Sequence, residues 1–216
     1  MRTTWTKRIG ILLSVLLLLC LAGCGKEEAY EEAYDEKPVL YLYPDQQTLV
    51  SLRLDLDGPL TASYPTHGTD GWQVIAHPDG TLTDPDTGRS YYCLFWEGKS
   101  QADYDLSSGF VVAGEETAAF LEEALAKLGL TEREANEFLI YWLPRMQDNP
   151  YNLITFQDTA YTDAAQLTID PAPDTLLRVF MAWKPLDEPL SLPPQTLTAP
   201  PRTGFTVVEW GGAELP

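Results

Sequence analysis

The residues of this chain with the clearest chemical potential are carboxylates and an arginine beside tryptophans. They lie in three short segments, Trp96-Glu97-Gly98, Tyr141-Trp142-Leu143-Pro144-Arg145 and Glu209-Trp210-Gly211-Gly212. Two carboxylates flanked by aromatic rings suit glycoside cleavage, in which one acts as the acid and the other as the base or nucleophile. Glu97 and Glu209 would be that catalytic pair, and Arg145 would stabilise charge. The candidate ligand-binding residues are the tryptophans of these segments, Trp96, Trp142 and Trp210.

The composition favours a second interpretation of the same segments. Aromatic residues make up 11% of the chain, and in a domain without disulfides most of them must form the core. The tryptophans would then pack inside, and each glutamate would be solvated or paired with Arg145. Whether the chain is an enzyme therefore stays open.

Other chemistries have weaker signals in the sequence. His67 and His77 are the two histidines, and they lack the short ligand spacing of structural zinc sites. The segment Asp84–Gly88 holds two carboxylates, as a calcium loop would, but it lacks the further acidic positions of an EF-hand. Asp, Pro and Gly all favour turns, so this segment predicts a hairpin turn. We expect neither a metal nor a cofactor.

The N-terminus carries a targeting signal. Arg2, Lys7 and Arg8 precede an apolar run from Ile9 to Leu19, which is followed by Leu21-Ala22-Gly23-Cys24. This order is typical of a secretory signal peptide, and the run is shorter than the roughly 20 residues that a membrane span needs. Its ending is similar to the lipobox of bacterial lipoproteins. The resemblance implies that Cys24 is acylated on its sulfur and becomes the first residue of a lipid-anchored protein at the extracytoplasmic face of the cell membrane.

Composition divides the chain into three parts. Residues 1–23 are the predicted signal peptide, residues 24–36 the lipidated cysteine and an acidic tether with a repeated EEAY, and residues 37–216 one domain. Without the three basic residues of the signal, the chain has 11 Lys and Arg and 32 Asp and Glu, which gives a net charge of −21. This charge argues against nucleic acid as a partner and against a basic membrane-binding surface. Membrane attachment would rest on the lipid.

Cysteine usage is consistent with a domain that is stabilised by packing. Cys20 would leave with the signal and Cys24 would carry lipid, so Cys93 has no partner for a disulfide. Cys93 lies in the strand-like run Ser90–Trp96. We favour a buried apolar role for it over a nucleophile, because no histidine is its neighbour in sequence.

The pattern of apolar residues predicts an α+β fold, a mainly antiparallel, sandwich-like β domain with two short helices inserted near the middle. Helical spacing is predicted over Thr117–Leu128, and Thr131 with Glu134 has the form of a capping box that starts a second helix. Aromatic and β-branched residues predict a strand over Phe138–Met146, paired in a hairpin with Tyr151–Gln157. The other predicted strands are Pro38–Tyr43, Thr48–Leu56, Leu60–Tyr64, Trp72–His77, Thr81–Thr83, Ser90–Trp96, Leu167–Asp170, Leu176–Trp183 and Phe205–Trp210.

A proline-rich segment, Lys184–Gly204, precedes the last strand. Such a run favours extended polyproline geometry and would suit a peptide-recognition ligand. The strand-like sequence after it favours a long loop that crosses the domain.

Several motifs together resemble a known group of proteins. KPVLYLYP, GWQVIAHPDG, YYCLFWEG, YWLPRM, NPYNLITF, PDTLLRVFMAWKPL and FTVVEWGG are similar to a family of bacterial, often lipoprotein-type proteins of unknown function, over Lys37–Gly212. The resemblance implies a single domain and brings no catalytic residues. We therefore expect an envelope-anchored binding or interaction lipoprotein that presents an aromatic-rimmed surface to an envelope glycan or protein. A glycan hydrolase is the alternative, and a purely structural envelope protein comes third.

Overall fold

The computed structural model describes residues 33–216, so the predicted signal peptide, the lipobox and most of the tether lie outside the described residues. The strands are β1 (Ala33–Tyr43), β2 (Thr48–Leu56), β3 (Leu60–Tyr64), β4 (Trp72–Ala76), β5 (Leu82–Thr83), β6 (Ser90–Tyr91), β7 (Leu94–Ser100), β8 (Phe110–Ala113), β9 (Tyr151–Gln157), β10 (Ala165–Asp170), β11 (Thr175–Leu186) and β12 (Thr206–Glu214). The helices are α1 (Thr117–Lys127), α2 (Glu132–Met146) and α3 (Thr159–Ala164), and Gly114–Glu116 forms a 3₁₀ turn.

Two sheets form the framework. The larger sheet has the strand order β3-β7-β1-β12-β11-β9-β8, and its neighbours are antiparallel except for the parallel pair β11 and β12. The smaller sheet has the order β10-β2-β4-β5-β6 and is antiparallel throughout. The predicted α+β class, with mostly antiparallel strands in a sandwich-like arrangement, is confirmed.

The larger sheet is covered on both faces. One apolar cluster joins it to the smaller sheet and includes Leu52, Trp96 and Val207. A second cluster joins its other face to α1 and α2 and includes Phe138 and Trp210. Because successive side chains of a strand point to opposite faces, a strand in this middle layer buries nearly every residue, as β12 does.

The strand predicted over Phe138–Met146 is wrong, since these residues form the second half of helix α2. The buried residues Phe138, Trp142 and Met146 recur at a spacing of four, which places them on one face of a helix toward the sheet. Pro144 lacks the N–H that would donate to the carbonyl of Ile140, and the helix ends two residues later. The predicted capping box between Thr131 and Glu134 is present, and β9 pairs with β8 and β11 instead of with a hairpin partner.

Four other segments differ from the prediction. Strand β1 begins at Ala33, so residues 33–36 of the expected tether are part of the larger sheet. The strand expected over Ser90–Trp96 is divided between the two sheets, because β6 belongs to the smaller and β7 to the larger one. Strand β8 and helix α3 were not predicted.

The proline-rich segment makes the crossover between β11 and β12. Parallel neighbours require a connection that returns to the starting end of the sheet, and residues 187–205 provide it without regular secondary structure. Its path is held by the backbone of Gly109, which donates to the carbonyl of Pro193 at 2.9 Å. This arrangement agrees with the interpretation of the segment as a loop that crosses the domain.

Candidate functional site

The proposed catalytic carboxylates, Glu97 and Glu209, lie on opposite faces of the larger sheet. Trp96 belongs to the cluster between the two sheets, and its indole Nε1 donates to Oε1 of Glu209 at 3.1 Å. Glu209 therefore points between the sheets. Glu97 follows Trp96 in β7, so its side chain points to the helix side. The structure does not bring these two carboxylates into one cleft.

Glu209 has a structural partner that occupies its second oxygen. Nε of Arg178 donates to Oε2 of Glu209 at 2.6 Å, and the glutamate side chain is completely buried. Burial would lower the pKa of Arg178, but the charge of Glu209 and its hydrogen bond, together with Tyr161, outweigh burial and raise that pKa. The pair is an internal ion pair, closed to a substrate.

Glu97 and Arg145 lie on the helix side and bind other residues. Glu97 accepts a hydrogen bond from the hydroxyl of Tyr34 at 3.2 Å. Arg145 forms an ion pair with Glu36 at 3.4 Å and stacks on the ring of Tyr141, 4.1 Å from its centroid. The tyrosine hydroxyl also donates to Glu36 at 2.7 Å. The expected pairing of Arg145 with Glu97 or Glu209 is replaced by this surface cluster.

The three candidate ligand-binding tryptophans are all buried. Trp96 and Trp142 are 0% exposed and Trp210 is 1% exposed. Both faces of the sheet are covered, so each ring packs into a core whichever face it points to. Trp72 and Trp183 are buried as well. The expected aromatic rim is thus not formed by these residues.

Tyrosines instead line an accessible pocket at the helix side of the sheet. The pocket has a volume of about 460 Å³ and is lined by Tyr41, Tyr43, Asp79, Gly80, Thr81, Tyr92, Thr131, Arg133, Glu134 and Arg202. We call it the tyrosine pocket. The rings of Tyr41 and Tyr43 lie parallel with centroids 6.3 Å apart, and Tyr92 is 54% exposed.

Local structure explains how these residues meet. Tyr41 and Tyr43 are two residues apart in β1 and so share a face. The predicted Asp79-Gly80 turn packs against them so closely that a Cβ at Gly80 would lie 2.7 Å from Cε1 of Tyr43. Gly80 also has a φ of 84°, a conformation that other residues rarely adopt. A side chain at position 80 would therefore disturb this wall of the pocket.

Glu134 is the fixed charge of the tyrosine pocket. It accepts the amide of Thr131 at 2.8 Å and the hydroxyl of Tyr43 at 2.9 Å, and Arg202 binds both of its oxygens. Burial raises the pKa of Glu134, but the charge of Arg202 and the hydrogen bonds from Arg202, Thr131 and Tyr43 together outweigh burial and lower it. The carboxylate stays ionised and immobile, which suits binding better than proton transfer.

Tyr41 connects the pocket to the core. Its hydroxyl donates to Oε2 of Glu137 at 2.7 Å and accepts from the indole of Trp210 at 3.2 Å. Burial and the nearby carboxylate raise its pKa, so it remains a neutral phenol. The sequence signal for this wall was the alternation in PVLYLY, whereas the helix and Arg202 are brought to it only by the tertiary fold.

A second polar cluster lies between the sheets. Asp35 is completely buried and accepts the hydroxyl of Tyr104 at 2.6 Å, and burial raises its pKa to about 6. Within residues 33–216, its other oxygen has no hydrogen-bond partner. The sequence gives no signal for this role, because the acidic residues around Asp35 are typical of a tether.

The acidic turn at Asp84 is a hairpin turn. The carboxylate of Asp84 accepts the amides of Asp86 and Thr87, each at 2.9 Å. Among residues 33–216, no group of three or more metal-ligating side chains comes together. Every helix in the same range is too short or too polar to cross a membrane.

The fold and the pocket define a three-layer α+β domain with a tyrosine-lined pocket. No family model and no solved structure matches the chain. The chain is 39% identical over 92 residues to a protein of Butyrivibrio fibrisolvens named "Uncharacterized protein in bglA 3'region", and the match spans 42% of this chain and 93% of that protein. The chain belongs to the same uncharacterised family.

Proposed function

We propose that this chain is a lipoprotein anchored at the extracytoplasmic face of the membrane through Cys24, and that its domain binds a neutral saccharide in the tyrosine pocket. The observation that carries the binding proposal is an accessible pocket whose central charge, Glu134, is locked by Arg202 and Tyr43. A preorganised set of polar groups with aromatic walls is typical of a small-molecule site.

The lining favours a neutral, hydroxylated ligand. Two arginines and two carboxylates line the tyrosine pocket, so the charges of its side chains cancel. Their oxygens and N–H groups offer both acceptors and donors to hydroxyl groups, and the exposed ring of Tyr92 offers a flat apolar face. A hydrolase that uses Glu97 and Glu209 gains no support, because these carboxylates point to opposite faces of the sheet.

Saturation-transfer NMR of the full-length protein in detergent, with a panel of neutral mono- to tetrasaccharides, tests the binding proposal. We expect Tyr92→Ala to abolish the transfer. Tyr64→Ala is a matched control, since Tyr64 is 52% exposed but lies outside the pocket. Saccharide binding that survives Tyr92→Ala, or the absence of binding across the panel, would overturn the ligand assignment.

Lipid attachment is tested separately. We expect the wild-type chain to incorporate labelled palmitate and to sediment with membranes, and Cys24→Ala to lose the label. A labelled Cys24→Ala variant would show that the anchor lies elsewhere.

A further inference from the structure

Strand β11 extends beyond the end of its neighbour β9. The pairing of β9 with β11 covers Phe180–Leu186, whereas Thr175–Val179 pairs only with β12. Alternate residues of a strand direct their backbone N–H and C=O groups to opposite edges, so about half of these groups in residues 176–179 face away from β12. Among the described residues, no backbone hydrogen bond joins residues 176–179 to the crossover segment beside them.

A cavity of about 470 Å³ lies against this open edge, and we call it the edge slot. Leu177 and Val179 line it and belong to the helix-side cluster, while Phe180 lines it from the cluster between the sheets. Side chains from both faces meet only at the edge of a sheet. The edge slot therefore lies where the next strand of the sheet would run.

Hydrogen bonds anchor the outer wall of the edge slot on both sides of residues 196–198. The side-chain amide of Gln195 accepts from the backbone N–H of Phe156 at 2.8 Å and donates to its carbonyl at 2.9 Å. Nε of Arg202 donates to the carbonyl of Gly129 at 3.0 Å. Residues 196–198 lie between these anchors and line the slot without filling it. Gln195 thus satisfies the backbone of β9 at Phe156, whereas within residues 33–216 the outward backbone groups of β11 at residues 176–179 have no such partner.

Charge indicates which extended segment suits the edge slot. The guanidinium of Arg178 is neutralised by Glu209. Asp158, at the mouth of the slot, is exposed and has no ion-pair partner within residues 33–216. The uncompensated charge of the lining is therefore negative, in a chain whose formal net charge is −18. A segment with a lysine or arginine complements it.

We propose that the edge slot binds an extended, basic segment of a partner protein, which adds a strand of about four residues to β11. The backbone of β11 supplies the main-chain hydrogen bonds, and Asp158 pairs with the basic side chain. This interaction surface is separate from the tyrosine pocket and does not depend on the saccharide proposal.

Selection of a displayed random hexapeptide library with one fixed lysine, on the full-length protein in detergent, tests this proposal. We expect the selection to enrich peptides. Their synthetic versions should bind the Thr196→Trp variant about tenfold more weakly than the wild type, because the tryptophan, at an exposed position of the outer wall, fills the slot. Methylating an amide nitrogen of the peptide that faces β11 should weaken binding about tenfold, since one hydrogen bond is lost. Thr87→Trp, in an exposed turn outside the slot, should leave binding unchanged.

Three outcomes would overturn the proposal. In the first, peptide selection enriches no sequence. In the second, the peptides bind the Thr196→Trp variant as tightly as the wild type, and their methylated forms bind as tightly as the unmodified peptides. In the third outcome, the protein self-associates in ultracentrifugation and Thr196→Trp abolishes this association. A second copy of the chain would then occupy the edge slot.

Discussion

The indole of Trp96 donates to Glu209 across the full width of strand β1. Trp96 lies in β7 and Glu209 in β12, and β1 runs between them, yet Nε1 and Oε1 are 3.1 Å apart. Because Arg178 of β11 binds the other oxygen of Glu209, these contacts link β7, β12 and β11 on the face of the larger sheet that packs against the smaller sheet. Two segments that look catalytic in the sequence therefore meet as a structural unit.

Removing the charge of Glu209 should destabilise the domain strongly. Glu209→Gln leaves the guanidinium of Arg178 buried without its counter-charge, which costs about 3–5 kcal/mol in the free energy of unfolding. Urea denaturation followed by tryptophan fluorescence measures this change. Glu97→Gln is the matched control and should change stability by less than about 0.5 kcal/mol, because Glu97 is partly exposed. Equal effects of the two substitutions would contradict the assigned roles.

The buried carboxyl of Asp35 should make stability fall as pH rises. Its folded-state pKa is raised to about 6 from 3.8, so between these values the folded state holds the proton more often than the unfolded state. Its contribution is therefore fully present below about pH 4 and is lost as pH passes 6, a change of about 3 kcal/mol. Asp35→Asn removes the titration. We expect the difference in unfolding free energy between this variant and the wild type to grow between pH 4 and 6 and to level off above 7; a difference that is constant with pH would refute the assignment.

Glu134 should stabilise the start of α2 and the wall of the tyrosine pocket together. Glu134→Ala breaks the capping box and leaves Arg202 without its partner, so we expect a loss of about 3 kcal/mol in thermal or urea unfolding. Glu132→Ala is a control in the same helical turn, at an exposed position, and should cost less than about 1 kcal/mol. A small effect of Glu134→Ala would show that Arg202 is held by other contacts.

Cys93 should be unreactive in the native protein. Burial raises the pKa of its thiol to about 11, so almost no thiolate is present at neutral pH. In a Cys20→Ser/Cys24→Ser variant, Ellman's reagent at pH 8 should modify Cys93 only after urea unfolds the domain. Rapid modification before unfolding would indicate an activated thiol and would reopen its assignment as a nucleophile.

Strand prediction from the sequence succeeded where alternation or turn residues were distinct. The bounds predicted for β2 and β3 are the observed ones, because a strand with one covered face alternates apolar and polar residues. The prediction is wrong at Phe138–Met146, where the aromatic and β-branched content of FLIYWL favours a strand. The spacing of Phe138, Trp142 and Met146 and the capping box at Thr131 supported a helix, and packing on the sheet decided between the two.

The candidate site was predicted less well than the fold. The sequence suggests a binding surface formed by Trp96, Trp142 and Trp210. The residues of one strand do not show whether another layer covers its second face. Asp35 was missed because acidic residues on both sides resemble a tether. Tyr43 and Glu134 are 91 residues apart and joined by one hydrogen bond, a proximity that local patterns do not encode.

The sequence by itself determined the strand-rich α+β character, the capping box, and the turns at Asp79 and Asp84. These features depend on residue types and on spacing within a few positions. The tertiary structure alone decided that Glu97 and Glu209 face apart, that the tryptophans are buried, and that tyrosines form the accessible pocket. The physical reason is the three-layer arrangement: which face of a strand is covered, and by what, depends on elements far away in the chain.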